Sequence, residues 1–342
     1  MRHRPIVVFG ASGHTGRFVA GELRRRGRLV VLAGRDAGML RALANGEASD
    51  AWAEVRVASA EDPASLDAAL AGAAAVVNCA GPFADTAAPV AEAALRARAH
   101  YLDVCAEQAV TLDTFARYAA CAHERGVVVA PSMGFYGALG DLLATTALGD
   151  WPAADEVRLG IALDGWQPTR GTRRTVQRNA GRHVVFTGGR FEPFPDEPSE
   201  ATWLFAPPFD TQYVRELATA DQVTIAQHLH VPEVRVYMTL APLRDLRDPD
   251  TPPPVAADSS GRSSQTFLVE AVARRGGDER RASAAGRDIY AVTAPIVVEA
   301  TERLLDGRVI GGRSIGALAA GELFDAADFL RSLSPDHLAL SL

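Results

Sequence analysis

The chain contains no lysine: all 35 of its basic residues are arginine. That absence excludes a Schiff-base lysine, a Walker-type phosphate loop and the Tyr-x-x-x-Lys dehydrogenase centre, each of which needs an amine. Cysteine is nearly as scarce. Cys79, Cys105 and Cys121 are the only three. They form no CxxC pair and no zinc spacing, so they read as free, mostly buried thiols and no metal site is expected. Long apolar runs are missing too. Nothing approaches the ~20 residues of a membrane span, and the apolar run Ile6–Phe9 near the start is too short for a signal peptide. A soluble, cytoplasmic protein is expected. There is no excess of positive charge: the net charge is −7, which argues against a broad nucleic-acid-binding face.

At 342 residues the chain is too long for one ordinary core, so two domains are expected. Up to Pro131 strand and helix patterns alternate. Short apolar strands are expected at Ile6–Phe9, Leu29–Ala33, Val55–Ala58, Ala75–Ala80, Tyr101–Val104 and Val127–Ala130, the composition of a parallel sheet covered on both faces. Asp62-Pro63 starts one intervening helix, and Gly27 and Gly126 end two others. After Pro131 strands predominate, at Val157–Leu163, His183–Phe186, Gln222–Leu229, Val234–Leu240 and Thr266–Ala273. The last enters a hairpin through Gly276-Gly277-Asp278 to Arg280–Ala285. Arg244–Ser264, with Pro252-Pro253-Pro254, reads as a mobile loop. Helical pattern returns at Tyr290–Leu305 and Gly321–Leu333. The expected fold is α/β: a Rossmann doubly wound parallel sheet over residues 1–132, then a second α+β domain with a mostly antiparallel sheet over 133–288. A helical segment, 289–342, is expected to return to the first domain.

The strongest chemical signal is Gly10-Ala11-Ser12-Gly13-His14-Thr15-Gly16, set between the first strand and the first helix. Glycines let a backbone turn lie against a pyrophosphate, and the helix N-terminus offers unpaired N–H groups and partial positive charge. Where an NAD enzyme places an acid at the end of the second strand, this chain has Ala33-Gly34-Arg35-Asp36. Arg35 lies 19 positions after Gly16, near the usual ~20. A guanidinium there suits a 2′-phosphate, so NADP(H) is the expected cofactor. Asp36 would reverse that preference if it faced the ribose instead. Asn78-Cys79-Ala80-Gly81-Pro82-Phe83, at the end of the fourth strand, should border the nicotinamide ribose.

These segments resemble the saccharopine dehydrogenase-like NAD(P)-binding reductases, including the trans-acting enoyl reductase branch. The resemblance rests on Gly10–Gly16, Leu32–Arg35, Val76–Phe83, Tyr101–Val104 and Pro131–Phe135, with a further likeness at Leu323-Phe324-Asp325. The family implies a Rossmann domain, a second domain on an antiparallel sheet, frequent dimers, and reduction of imines, enoyl groups or related acceptors. A homodimer acting on a small molecule, away from nucleic acid and membrane, is therefore expected.

Tyr101 and Asp103 alternate on the fifth strand and could act as proton donor and its orienting partner; Tyr136 is a second candidate donor. Asp141 could orient its loop. Trp166, Arg170, Arg173 and Arg174 cluster within nine residues and suggest anchors for an anionic substrate. His228 and His230 alternate on an expected strand without a third ligand. Two other readings stay open: a ketone reductase, and a redox sensor that binds NADP(H) without turnover, as NmrA-type regulators do.

Overall fold

The computed structural model describes residues 4–46, 52–179, 183–310 and 315–342. In chain order it runs β1 (Ile6–Phe9), α1 (His14–Arg25), β2 (Val30–Gly34), α2 (Ala37–Asn45), β3 (Glu54–Val57), α3 (Pro63–Leu70), β4 (Ala75–Asn78), α4 (Phe83–Ala97), β5 (His100–Asp103), α5 (Gln108–Arg125) and β6 (Val128–Ala130). There follow α6 (Ala138–Leu148), β7 (Glu156–Leu163), α7 (Arg170–Asn179), β8 (Val184–Thr187), β9 (Arg190–Pro193), β10 (Glu200–Leu204), β11 (Thr211–Glu216), α8 (Ala220–Ala226), β12 (Val234–Thr239) and α9 (Leu240–Arg247). The chain closes with β13 (Thr266–Arg275), β14 (Asp278–Arg287), α10 (Thr293–Leu305), β15 (Gly316–Ala317), α11 (Ala320–Leu323), α12 (Ala326–Ser332) and β16 (Ala339–Ser341).

These elements form two compact units. The first takes its described residues from 1–105, 110–134 and 293–318; the second from 106–109, 135–292 and 319–342. The chain end therefore divides. Residues 293–318 lie with the first unit, as α10 and β15, whereas 319–342 lie with the second, where β16 adds to a sheet edge by pairing with β14. The single returning segment expected over 289–342 is corrected accordingly.

The first unit holds a seven-stranded sheet in the order β15-β6-β5-β4-β1-β2-β3, every pair parallel. This is the doubly wound order, extended by one strand, with its switch point between β1 and β4. The strands β1, β2, β4 and β6 are buried throughout, which is why their sequences are apolar apart from Asn78 at the end of β4. Helix α10 packs along α1 through a network of charges. Arg26 meets Glu22 at 2.7 Å, Glu299 at 2.6 Å and Glu302 at 2.7 Å, Arg28 also reaches Glu302, and Arg303 meets Glu299 at 2.8 Å. Burial opposes the ionised forms, but the paired guanidinium groups outweigh it and hold Glu22 and Glu299 below the ordinary carboxylate range.

The second unit is built on a mixed sheet with the path β10-β11-β12-β7-β13-β14-β16, from which β8 and β9 branch off β12. All its pairs are antiparallel except β7 with β12. Helix α6 lies across β7, β13 and β14, and α8 on β12. On the sheet Trp203 lies over Gly160, where an added Cβ would stand 2.4 Å from the indole, and its N–H donates to Glu270 at 3.0 Å.

Two expectations for this unit are corrected. Gln222–Leu229 is not a strand: its first residues belong to helix α8. Val223, Thr224 and Ile225 give the segment a strand-like composition, but the Gln222 side chain accepts the Thr219 N–H at 2.8 Å and starts the helix as half of a capping box. His228 and His230 consequently lie in the turn after α8 and not on alternate strand positions. Arg244–Ser264 begins inside α9, and the irregular remainder is tied down where Arg173 donates to the carbonyls of Asp248 (3.0 Å) and Thr251 (2.7 Å).

Candidate functional site

The glycine turn is fixed by its close approaches. Gly10 leaves β1 with φ of +80°, and a Cβ there would lie 2.8 Å from the backbone nitrogen of Ala80. A Cβ on Gly16 would lie 2.2 Å from the Gly10 carbonyl oxygen. Both positions therefore need glycine. The N–H of Gly10 donates to the Ala33 carbonyl at 2.8 Å, which pins the turn to the end of β2. Gly13 is the N-cap of α1 and supplies no side-chain cap; the first turn carries no acid. The N-terminal dipole and N–H groups are thus left for an external anion.

The segment Asn78–Phe83 leaves β4 beside this turn, on the other side of the switch point. Its position is set internally: the buried Asn78 side chain accepts the Ala80 N–H at 3.0 Å and donates to Thr86 and to the Tyr101 hydroxyl, both at 3.3 Å. Gly81-Pro82 is a cis peptide. Phe83 packs with Ala87 and Cys105. Burial, with the Asp103 charge added, pushes the Cys79 thiol far up, so it is held as a thiol. Both cofactor segments expected from the sequence thus meet at one point of the sheet. Thr86, which holds the second of them, carried no signal in the sequence.

At the end of β2 Arg35 and Asp36 separate into different tasks. The Asp36 carboxylate is the N-cap of α2 and accepts the Met39 N–H at 2.9 Å. Arg35 is exposed and makes no hydrogen bond or ion pair among the described residues.

Tyr101 and Asp103 are brought together, but deep inside the first unit. Both are fully buried. The Tyr101 hydroxyl donates to Asp103 at 2.8 Å, and the other Asp103 oxygen accepts the N–H groups of Cys105 (3.0 Å) and Ser132 (2.7 Å). Burial first, then the Asp103 charge, pushes the Tyr101 hydroxyl well above its ordinary range. The pair ties β5 to the loop after β6, where Ser132 has φ of +59°.

The second unit carries a separate cluster. Trp166 is buried; its indole N–H donates to the Tyr290 hydroxyl at 2.9 Å, and its backbone N–H to Asp245 at 2.8 Å. Thr172 on α7 shares a hydrogen bond with the same Tyr290 hydroxyl at 2.9 Å, and the Thr169 N–H reaches it at 3.3 Å. Tyr136 lies against this group, its ring centroid 6.1 Å from that of Trp166 and 5.0 Å from that of Phe135. The sequence named Trp166 and Tyr136 but missed Tyr290, whose partners lie more than a hundred positions away in the chain. The three arginines do not converge. Arg170 and Arg174 are exposed, and Arg173 holds the 248–251 turn.

Elsewhere in this unit buried Asp141 on α6 meets His228 at 2.7 Å and accepts the Gly321 N–H at 2.8 Å. It is thus a clamp between elements. Among the described residues no three His, Cys, Asp or Glu side chains gather as a metal site, and no helix is long and apolar enough to cross a membrane.

Comparison with known proteins agrees with this geometry. Residues 6–129 match the family model described as the saccharopine dehydrogenase NADP binding domain. This segment is similar to that domain. NADP(H) is accordingly the cofactor of the NADP-binding domain, and the uncapped α1 terminus, the close glycine turn and the exposed Arg35 fit it. A mouse (Mus musculus) protein named saccharopine dehydrogenase-like oxidoreductase is 32% identical over 40% of this chain and 35% of its own length. A Mycobacterium tuberculosis protein, named provisionally as a trans-acting enoyl reductase, is 30% identical over 41% of this chain and 34% of its own. The matches thus span about a third of these relatives. The solved saccharopine dehydrogenase (L-Glu forming) of Saccharomyces cerevisiae covers 99% of both chains with a TM-score of 0.68 at 12% identity, which is a likeness of fold.

Proposed function

We propose that the protein is an NADPH-dependent oxidoreductase that reduces a C=N or C=C bond of a small molecule. The observation that carries this reading is the division of labour at the end of β2. Asp36 is committed to capping α2, and Arg35 is left as the exposed group at the position that reads the ribose. Bound there, the cofactor supplies the hydride. The chain's own residues supply the rest. The α1 terminus and the turn Gly10–Gly16 hold the pyrophosphate, Arg35 pairs with the 2′-phosphate, and Asn78–Phe83 flanks the nicotinamide ribose. Tyr101 and Asp103 act as positioning residues: with their hydrogen bonds already made inside the fold, they hold the strand ends that shape the site. The names of the mouse and mycobacterial relatives support a reductase over a sensor. An anionic acceptor has less support, because Arg173 is engaged by a turn and Arg170 and Arg174 are exposed, with no partner among the described residues.

A homodimer is part of the proposal, since the edge strand β10 exposes Leu204 and its neighbour β11 exposes Tyr213. Sedimentation of the purified chain tests it. The activity itself is tested by following NADPH absorbance against imines, enoyl compounds and ketones. Oxidation with one class supports the reading. Tight NADPH binding without turnover on any of them would point to a sensor.

A further inference from the structure

Among the described residues of the second unit, the Tyr136 hydroxyl is one of the buried polar atoms that the fold leaves unused. The Tyr136 hydroxyl is buried and has no hydrogen-bond partner among the described residues. The residue as a whole is nevertheless only half-buried. An orphaned buried hydroxyl is costly, and such costs persist in folded proteins chiefly where a ligand or water completes the bond. Its neighbour Tyr290 shows the contrast, with three partners converging on one hydroxyl. The wall around Tyr136 is aromatic: Phe135 stands edge-on to it and Trp166 lies tilted by 34°. Aromatic walls favour flat, apolar groups.

We propose that the Tyr136 hydroxyl donates a hydrogen bond to the sp² oxygen or nitrogen of an uncharged, planar acceptor group lying against the Phe135–Trp166 wall. The inference rests on the reductase reading and names the substrate class for it. Local charge agrees. Burial first, then Tyr290 and Asp221, raise the Tyr136 hydroxyl well above its ordinary range. The hydroxyl is therefore a donor at neutral pH. A neutral donor among aromatic rings suits an uncharged acceptor better than the anionic substrate suggested by the arginines of the sequence.

The test uses the full chain without cofactor, with two probes: cyclohexenone and its carboxylate-bearing counterpart, oxocyclohexene carboxylate. Saturation-transfer NMR titration gives their affinities for wild type and Tyr136→Phe. Loss of one hydrogen bond should weaken cyclohexenone about three- to tenfold, and the carboxylate should bind wild type less well than cyclohexenone. Thermal unfolding of the variant controls for structure. Because the hydroxyl has no partner among the described residues, Tyr136→Phe should keep or raise Tm. Equal cyclohexenone affinity in both proteins, no binding to wild type, preference for the carboxylate, or a lowered Tm in the variant would each overturn the proposal. NADPH binding is titrated separately by its fluorescence. Retained NADPH binding with a failed probe test rejects only this inference, whereas lost NADPH binding rejects the reductase reading itself.

Discussion

Replacing Arg35 with alanine tests the cofactor assignment at its narrowest point. The guanidinium is exposed and unpartnered, so its removal disturbs no contact within the protein. With NADPH bound, a paired contact to the 2′-phosphate would be charge-assisted and worth about 1.5–3 kcal/mol, toward the lower end in solvent. Arg35→Ala should therefore weaken NADPH about 10- to 100-fold. NADH lacks that phosphate and should change by no more than about twofold, the usual range of a surface substitution. Asp36→Ala is the internal control. It removes the cap on the Met39 N–H and should cost about 1 kcal/mol of stability, while leaving the ratio of NADPH to NADH affinity unchanged. Both affinities are read from the fluorescence of the reduced nicotinamide, at two salt concentrations. Salt should weaken NADPH more than NADH in wild type and equally in Arg35→Ala. Equal weakening of both cofactors by Arg35→Ala, or a changed ratio in Asp36→Ala, would refute the reasoning.

Three other outcomes are expected. Gly16→Ala places a Cβ 2.2 Å from the Gly10 carbonyl oxygen; it should lower stability by about 2 kcal/mol and abolish NADPH binding, measured by denaturant unfolding and titration. Arg26→Ala strips the shared partner from Glu22, Glu299 and Glu302 and should cost about 3 kcal/mol, whereas a change below about 0.5 kcal/mol would mean the network is neutral. His228 is pulled down by burial, but the Asp141 carboxylate outweighs this and raises it above 6.5. Its charge therefore stabilises the fold below that value, and the contribution is lost as pH rises through the raised one. The Tm advantage of wild type over His228→Gln should shrink from pH 6 to pH 9; a growing advantage would reverse the assignment.

The first unit was legible because most of its strands are buried on both faces. Continuous apolar runs such as Ile6–Phe9 and Ala75–Val77 announce themselves without long-range information. The glycine turn was legible for a similar reason, since its chemistry is local. What escaped depended on distant partners or on weak local pattern. Strands β10 and β11 place Leu204 and Tyr213 on their exposed side among polar residues, so they carry only a partial apolar rhythm. Helix α7 is polar on nearly every face, and the contact between Thr172 and Tyr290 spans more than a hundred positions. In α8 the β-branched residues outvoted the capping pair Thr219 and Gln222. The Asp103 partner of Tyr101 was legible because it stands two positions along the same strand, whereas Asn78, which also bonds its hydroxyl, comes from β4.

The charge network between α1 and α10 has a consequence for synthesis. A ribosome releases Arg26 some 270 residues before Glu299 and Glu302. Until those glutamates emerge, the nascent NADP-binding domain carries an arginine without two of its counter-charges, and the face of α1 that α10 covers stays open to water. Completion of the first domain must therefore wait for most of the second to be made, an order that slows folding and prolongs exposure to chaperones. A fragment cut at the apparent domain boundary near residue 132 would inherit that unfinished surface permanently.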